Sequence, residues 1–466
     1  MAVSADFIIR GNVVQSDREP FQGEVVVKDG RIAAVMDGQS ETRAKRILEV
    51  NGSWVLPGVV DAHVHCLSDP HEGITNCTRA AAAGGVTTII EMPFDAGGPV
   101  NNLDTFLRKK ERVKQEALVD VALLATIRKR GGLDQIAGLA EVGACGFKLS
   151  LFETDPERFP QIPDDELLEA FRLVADTGLI VGVHAENTDI VNGLVSRLRS
   201  QGRTDALAHC QSRPPVSETE ATLRALELAH WTGVPLHIYH VSLPRCIELA
   251  AWFRNQGLNV TTETCPHYLL LNEKDMERLG AKVKINPPLR RKEDSEGLWK
   301  LLREGAIDFV TSDHAPWQLE RKNKPDIFDN ASGTPGVQTL LPILYNEGVV
   351  KGRLTIQRLV EVLCEAPADR FGLSPRKGRL AGGADADIVV LDPSRRCTID
   401  ATKLLSSAGW SPYHGMALQG EITHVFLRGR PLVDDGVSVG KPGDGRFVSP
   451  LPSPGTAVTR SERVRS

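Results

Sequence analysis

The stretch "VVDAHVH", residues 59–65, decides the fold. It is an apolar run of strand length that closes on two histidines, His63 and His65, just before the turn "CLSDP" at 66–70. Strand residues two apart point to the same side, so the two imidazoles share a face. Runs of the same kind recur downstream: "VTTIIEM" (86–92), "VDVALLA" (119–125), "CGFKLSL" (145–151), "LIVGVHA" (179–185), "PLHIYHV" (235–241), "NVTTETC" (259–265) and "DFVTSDH" (308–314). Amphipathic helical stretches fill the gaps, among them "ELLEAFRLVADTG" (166–178), "ETEATLRALELAHWTG" (218–233) and "SEGLWKLLREG" (295–305). Ser217 with Glu220 three places on predicts a capping box at the start of the second of these helices. Eight β/α units predict an α/β fold, a TIM-type (β/α)8 barrel rather than a doubly wound sheet. Further helix follows the eighth strand in "TIQRLVEVLCEAPADRFGL" (355–373).

Outside this region the rhythm changes. "ADFIIRGNVVQ" (5–15), "GEVVVKDGRIAAV" (23–35) and "RILEVNGSWVLPG" (46–58) are short strands split by glycine-containing turns. The same texture returns in "GADADIVVLDP" (383–393) and "ITHVFLRGRPLVDDG" (422–436). The expected organisation is a small β-sandwich domain built from both chain ends, residues 1–55 and 378–448, around a barrel at 56–377. A disordered tail is expected at 449–466.

At 466 residues the chain exceeds one ordinary core. It is 41% hydrophobic and 25% charged, the composition of a globular protein. The net charge of −5 and the absence of a basic stripe argue against a nucleic-acid partner; only the short end "RSERVRS" is basic. No basic segment followed by an apolar core opens the sequence, and no apolar stretch is long enough to cross a bilayer, so neither a signal peptide nor a membrane partner is expected. Eight cysteines without CxxC pairs read as reduced residues of a cytoplasmic protein.

The ends of the predicted strands carry the chemistry. Strand one ends in His63 and His65, strand four carries Lys148, strand five ends in His184, strand six in His240, and strand eight in Asp313. In a barrel these ends meet at one mouth, where such folds keep their active sites. A lone histidine in an apolar run is ordinarily a satisfied core residue, and an aspartate before "HAP" is ordinarily a loop cap. Four of the chain's 12 histidines at equivalent places, joined by an aspartate, point instead to a metal site. Imidazole and carboxylate ligands suit zinc or a similar divalent ion, with room for water. Lys148 has two readings from its chemistry alone. It is either a mouth lysine paired with an acid, or an amine that reacts with carbon dioxide to give a bridging carbamate. Its small, apolar surroundings "GACGFKLS" favour the free amine by desolvation.

Taken together, "DAHVH" (61–65), "GFKLS" (146–150), "VHAEN" (183–187), "YHVS" (239–242), "TCPHY" (264–268), "INPPLR" (285–290) and "SDHAP" (312–316) resemble the cyclic amidohydrolases of the amidohydrolase superfamily: dihydroorotases, allantoinases and hydantoinases. The likeness runs over nearly the whole chain. It implies two divalent ions, Zn2+ being the expected metal. His63, His65 and Asp313 would hold one, His184 and His240 the other, and N6-carboxylated Lys148 would bridge them. It implies a hydrolase that opens the C–N bond of a small cyclic amide, with Asp313 as the catalytic base, and a homodimer or homotetramer.

Departures from the family pattern bear on the substrate. Dihydroorotases carry an arginine just after the paired histidines; here that place is Leu67 or Ser68. Dihydropyrimidinases and hydantoinases commonly carry a tyrosine five places after the bridging lysine; here it is Glu153, preceded by Phe152. Their "SPP" serine is Asn286, and a loop asparagine is replaced by Ser332. "IIEMP" (89–93) and "SDHAP" are nearest to allantoinases and L-type hydantoinases. The expected substrate is therefore a five-membered ureide or hydantoin ring, with dihydroorotase- or dihydropyrimidinase-like activity as the alternative. Asn286, Ser332, Phe152 and His267 are the candidate substrate contacts. A non-catalytic relative would show gaps in the ligand set, and none of the six positions is empty. A phosphotriesterase- or lactonase-like enzyme is disfavoured by "NPPLR", "CPHY" and "HAEN".

Overall fold

The structure, a computed structural model, describes residues 5–451. Four strands open it: β1 (Ala5–Gln15), β2 (Arg18–Lys28), β3 (Arg31–Asp37) and β4 (Ala44–Pro57). The barrel strands follow: β5 (Val59–Val64), β6 (Val86–Glu91), then after a short hairpin of β7 (Phe94–Asp95) and β8 (Gly98–Pro99), β9 (Asp120–Leu123), β10 (Phe147–Ser150), β11 (Val181–His184), β12 (Leu236–Ile238), β13 (Val260–Thr264) and β14 (Phe309–Val310). Each lies inside one of the eight apolar runs read from the sequence. Parallel strands covered on both faces need apolar residues in succession rather than alternation, which is why the runs are continuous.

β5, β6 and β9 pair in one parallel group, and β10 to β14 in another. Two backbone seams join the groups. Ala125 N–H donates to Gly146 O at 3.0 Å and Lys148 N–H to Ala125 O at 2.8 Å, tying β9 to β10. His65 N–H donates to His314 O at 2.9 Å, tying the segment after β14 to the end of β5. The ring of eight parallel strands is thereby complete. Helices cover its outside; that at Lys292–Arg303 turns Ser295, Leu298, Trp299 and Leu302 inward, the spacing of one helical face.

The helix predicted to begin with a capping box begins otherwise. It spans Pro215–Thr232, and Pro214 occupies the cap position. Ser217 Oγ donates to Pro214 O at 2.8 Å and Glu220 accepts from Asn187 Nδ2 at 2.6 Å, so neither serves the expected box. Pro215 at the first helical position has no N–H to satisfy and a φ already suited to the helix, which moves the start forward.

β15 (Ile388–Thr398), β16 (Ala417–Leu427), β17 (Arg430–Asp434) and β18 (Val437–Ser438) join β1–β4 in one eight-stranded sheet, in the order β18-β17-β16-β15-β4-β1-β2-β3. Phe7 on β1 and Phe426 on β16 have ring centroids 4.9 Å apart, although three strand spacings separate them along the sheet. In a flat sheet that separation is roughly 14 Å. The sheet therefore folds over its own core, helped by register shifts in β1/β4 and β15/β16, and forms the sandwich. Both chain ends contribute, as the repeated texture suggested. Residues 449–451 pack on the barrel side, with Leu451 N–H donating to Gly372 O at 2.8 Å; the rest of the expected tail, 452–466, lies outside the described residues.

Sheet and barrel are joined by a buried ion network. Lys377 Nζ meets Asp387 at 2.7 Å, Asp385 at 2.9 Å and Asp120 at the start of β9, while Arg428 also pairs with Asp120. The Lys377 ammonium fills the space between the three carboxylates. All eight cysteines are free, and among the described residues no helix is long and apolar enough to cross a membrane. Replacing Lys377 by Ala leaves three buried carboxylates without their shared cation and is expected to cost about 3–5 kcal/mol, read as a lowered midpoint in denaturant unfolding.

Candidate active site

The mouth of the barrel gathers the six residues read from the strand ends. His63 lies on β5, Lys148 on β10, and His184 ends β11; His65, His240 and Asp313 follow β5, β12 and β14 by one to three residues. His240 (φ 40°) and Asp313 (φ 45°) hold left-handed backbone conformations that non-glycine residues rarely adopt. Such strain, about 1–3 kcal/mol each, persists where surroundings fix it and clusters at functional sites.

Asp313 Oδ1 lies 3.3 Å from His63 Nε2 and 3.6 Å from His65 Nε2. Ligand atoms of these three residues all fall within 4.8 Å of one another. Lys148 Nζ is 3.2 Å from His63 Nε2, and His184 Nδ1 is 2.9 Å from His240 Nε2. Rings of His63 and His240 stand 5.2 Å apart, so the two groups form one cluster.

The outward ring nitrogens show what the inward ones are for. His63 Nδ1 is 2.6 Å from Glu263 Oε1, His65 Nδ1 is 3.1 Å from Ser68 Oγ, and His184 Nε2 is 3.0 Å from Glu186 Oε2. Each bond occupies one nitrogen and aims the other at the centre, the arrangement that fixes tautomer and orientation in metal-ligating histidines. Burial holds His63 and His240 well below the ordinary imidazole range, so both are neutral and have a lone pair to give. His240 Nδ1 is buried with no partner among the described residues. Four imidazoles, a carboxylate and an amine converging in this way fit a site for divalent ions.

Lys148 is 1% exposed, and burial lowers its pKa to about 7 against the pull of Glu263 and Asp313. Its Nζ sits 3.5 Å above the Tyr239 ring, and no carboxylate salt bridge reaches it among the described residues. The reading of Lys148 as half of an ion pair therefore has no partner in the structure.

Three carboxylates escaped the reading of the sequence. Glu263, next to the last residue of β13, receives His63 Nδ1, His237 Nε2 (3.2 Å) and the His240 backbone N–H (3.2 Å). Asp61, two residues before His63 on the same face, accepts from the backbone of His63 (3.3 Å) and Ser312 (3.1 Å), and burial lifts its pKa to about 6. Glu186 is shared by His184 and Arg213. A glutamate inside a fully covered strand and an aspartate spaced by two from a histidine were the available signals.

A cavity of about 460 Å³ opens onto the cluster, within the range of small-molecule sites. Phe152, Asn286 and Ser332 line it. Phe152 carries the Arg213 guanidinium 4.4 Å over its ring, and Asn286 Oδ1 has no partner among the described residues. Lys322 pins the Ser332 segment by donating to the carbonyls of Lys284 (3.1 Å), Ala331 (2.9 Å) and Gly333 (2.7 Å). Glu153, at the place of the family tyrosine, pairs with Lys129 at 2.8 Å. His267 is not brought to the cavity wall: it is 1% exposed, behind the lining, with both ring nitrogens unpartnered among the described residues. Burial lowers its pKa to about 4, and Asp313 is near enough for its charge to act on it.

Gly182 on β11 makes room for this arrangement. A β-carbon there would stand 2.0 Å from the Tyr239 ring, whose face supports Lys148. Gly182→Ala is expected to displace that ring and cost about 1–3 kcal/mol, seen as a lowered unfolding midpoint.

Comparison with known proteins gives this site a family. The profile of the Amidohydrolase family matches residues 54–432. The chain is 36% identical over 450 residues to an L-hydantoinase of Paenarthrobacter aurescens, covering 95% of this chain and 98% of that one. It is 40% identical over 452 residues to an allantoinase of Rubrobacter xylanophilus, covering 96% and 98%. Among solved structures, the L-hydantoinase (dihydropyrimidinase) from Arthrobacter aurescens matches with a TM-score of 0.92 at 37% identity, over 96% of this chain and 100% of that one. A match over most of the length, onto the fold that carries the site, means that this chain belongs to the amidohydrolase family.

Proposed function

We propose that the protein is a metal-dependent hydrolase that opens the cyclic amide bond of a small ureide or hydantoin ring. The observation that carries this reading is the set of inward-aimed nitrogens of His63, His65 and His184, each held by an outer partner, around Asp313 and Lys148. Relatives named allantoinase and L-hydantoinase support the substrate class.

In this reading His63, His65 and Asp313 would hold one divalent ion, His184 and His240 would hold a second, and Lys148, carboxylated by carbon dioxide, would supply anionic oxygens to both. Zn2+ is the metal that the imidazole-rich set suits best. Ions held there supply activated water at neutral pH and polarisation of the ring carbonyl. The protein supplies the rest. Asp313 accepts a proton from the attacking water and returns it to the ring nitrogen as the C–N bond breaks. The products are a carboxylate and a ureido or amide N–H. Glu263 and Glu186 keep His63 and His184 in one tautomer throughout. Phe152 and the pinned segment around Ser332 bound the ring, and Asn286 Oδ1 offers an acceptor to a ring N–H.

Carboxylation would put an anion on a buried side chain that makes no carboxylate salt bridge among the described residues, which would suit a place between cations.

Turnover of allantoin, a 5-substituted hydantoin, dihydrouracil and dihydroorotate, with a phosphotriester as control, tests the class. Allantoin or the hydantoin is expected to be opened fastest, and hydrolysis of the phosphotriester alone would overturn the reading. Asp313→Asn should lower kcat by about 10²–10⁴-fold, the range for loss of a positioned base, while metals stay bound. Lys148→Ala should lower metal content and activity together, with partial rescue by short carboxylic acids. Unchanged metal content would place the bridge elsewhere.

A further inference from the structure

The charges lining the cavity do not balance, and the imbalance falls on one wall. Arg199 is neutralised by Asp326 (3.0 Å) and Asp329 (2.6 Å), and Arg213 by Glu186 (2.5 Å). Lys284 is spent on the carbonyls of Phe328 and Asn330. Two guanidinium groups remain. Arg158 sends Nη2 to the carbonyls of Ser68 (3.2 Å) and Phe94 (3.1 Å), while its buried Nε finds no acceptor among the described residues. Arg321 rests 4.3 Å over the Trp317 ring, and neither arginine has a salt bridge to a described carboxylate.

The acids of the neighbourhood are otherwise occupied. Asp155 caps its own turn through the backbone N–H groups of Glu157 (3.0 Å) and Arg158 (2.8 Å). Asp95 pairs with Lys109 at 2.5 Å, and Asp69 with His71 at 2.8 Å. Burial pushes the Arg158 pKa down; Asp155 opposes this, and Arg321 pushes the same way as burial. A half-buried guanidinium beside a second cation, with no carboxylate salt bridge among the described residues, is a site short of an anion.

Its position relates it to the reacting centre. Ser68, whose carbonyl Arg158 holds, places Oγ 3.1 Å from His65 Nδ1. Phe94, the other anchor, stacks on the His65 ring at 6.2 Å. Arg158 thus stands on the His65 side of the cavity that His65, Arg321 and Trp317 also line. From this geometry we infer that Arg158 and Arg321 receive an anionic substituent, a carboxylate, carried on the ring that the enzyme opens. The inference rests on the cyclic-amide reading and narrows it to rings bearing an acidic side chain. A carboxylate can accept from the Arg158 Nη1, which has no side-chain or backbone acceptor among the described residues, and meet the Arg321 charge as well, whereas an alkyl or aryl substituent would satisfy neither.

The test compares hydantoin-5-acetate, allantoin and 5-methylhydantoin on the wild-type enzyme and on Arg158→Gln, Arg158→Lys and Arg321→Gln. The wild type is expected to prefer the acid over 5-methylhydantoin by about ten-fold or more in kcat/KM, the scale of a charged hydrogen bond. Arg158→Gln should collapse that ratio towards one, and Arg158→Lys should restore part of it. Arg321 is exposed and carries no side-chain hydrogen bond to a described residue. Arg321→Gln should therefore lower the ratio by about three-fold, by removing a screened charge, without lowering the unfolding midpoint. Added salt should raise KM for the acid alone.

Equal losses on all three substrates, with a lower unfolding midpoint, would make Arg158 a brace for the Ser68 and Phe94 carbonyls and overturn the inference. A loss confined to allantoin would assign the guanidinium to a neutral ureido oxygen and overturn it equally. If the wild type opens none of the rings, the cyclic-amide reading is what fails. Calorimetric titration of hydantoin-5-acetate into wild type and Arg158→Gln then decides the anion site separately. Binding lost in the variant supports it, and equal binding or none refutes it.

Discussion

One backbone hydrogen bond governs whether this site exists: His65 N–H to His314 O at 2.9 Å, where the chain after β14 meets the end of β5. It brings together residues about 250 positions apart in the sequence. That seam, together with the Ser312 N–H to Asp61 bond at 3.1 Å, holds Asp313 within 3.3 Å of His63. The other strands come into line because each parallel neighbour fixes the next, and the ends of β5, β10 and β11 set His63, Lys148 and His184 around one axis. Local pairing thus accomplishes what sequence proximity cannot.

Concentrating polar groups here opposes stability, and the structure shows how the opposition is contained. Glu263, 0% exposed, carries a pKa pushed well above the carboxylate range by burial, yet it is kept by three donors. Asp61 braces the same strand against the Ser312 backbone. Two residues hold unfavourable backbone angles at the centre. At the opposite end of the barrel, the Lys377 network ties the sheet made from both chain ends to β9. A rigid, well-satisfied base and a strained, polar mouth are the division expected of a barrel enzyme.

Much of this was legible in the sequence because period and spacing are local signals. The eight apolar runs contain the eight strands, and the six residues at their ends meet. What was not legible depends on partners that only folding supplies. Glu263 sits in "NVTTETC" like any strand residue until His63 arrives from far upstream. The left-handed backbone at His240 and Asp313 leaves no mark in residue type. Ser217 and Glu220 satisfied the capping pattern, but two prolines just before them set the helix start. Residue type alone does not set Arg158 apart from any loop cation, since only the finished cavity shows that no described carboxylate forms a salt bridge with it. His267 carries the residue type of a substrate contact and lies behind the wall instead.

The central claim is that the imidazoles, Asp313 and Lys148 form a centre for divalent ions on which catalysis depends. Metal analysis of the purified protein, paired with turnover before and after exhaustive chelation, addresses it most directly. About two equivalents of divalent metal per chain are expected, with turnover lost on stripping and regained on adding Zn2+. Protein free of metal that opens the same ring at the same rate would contradict the account.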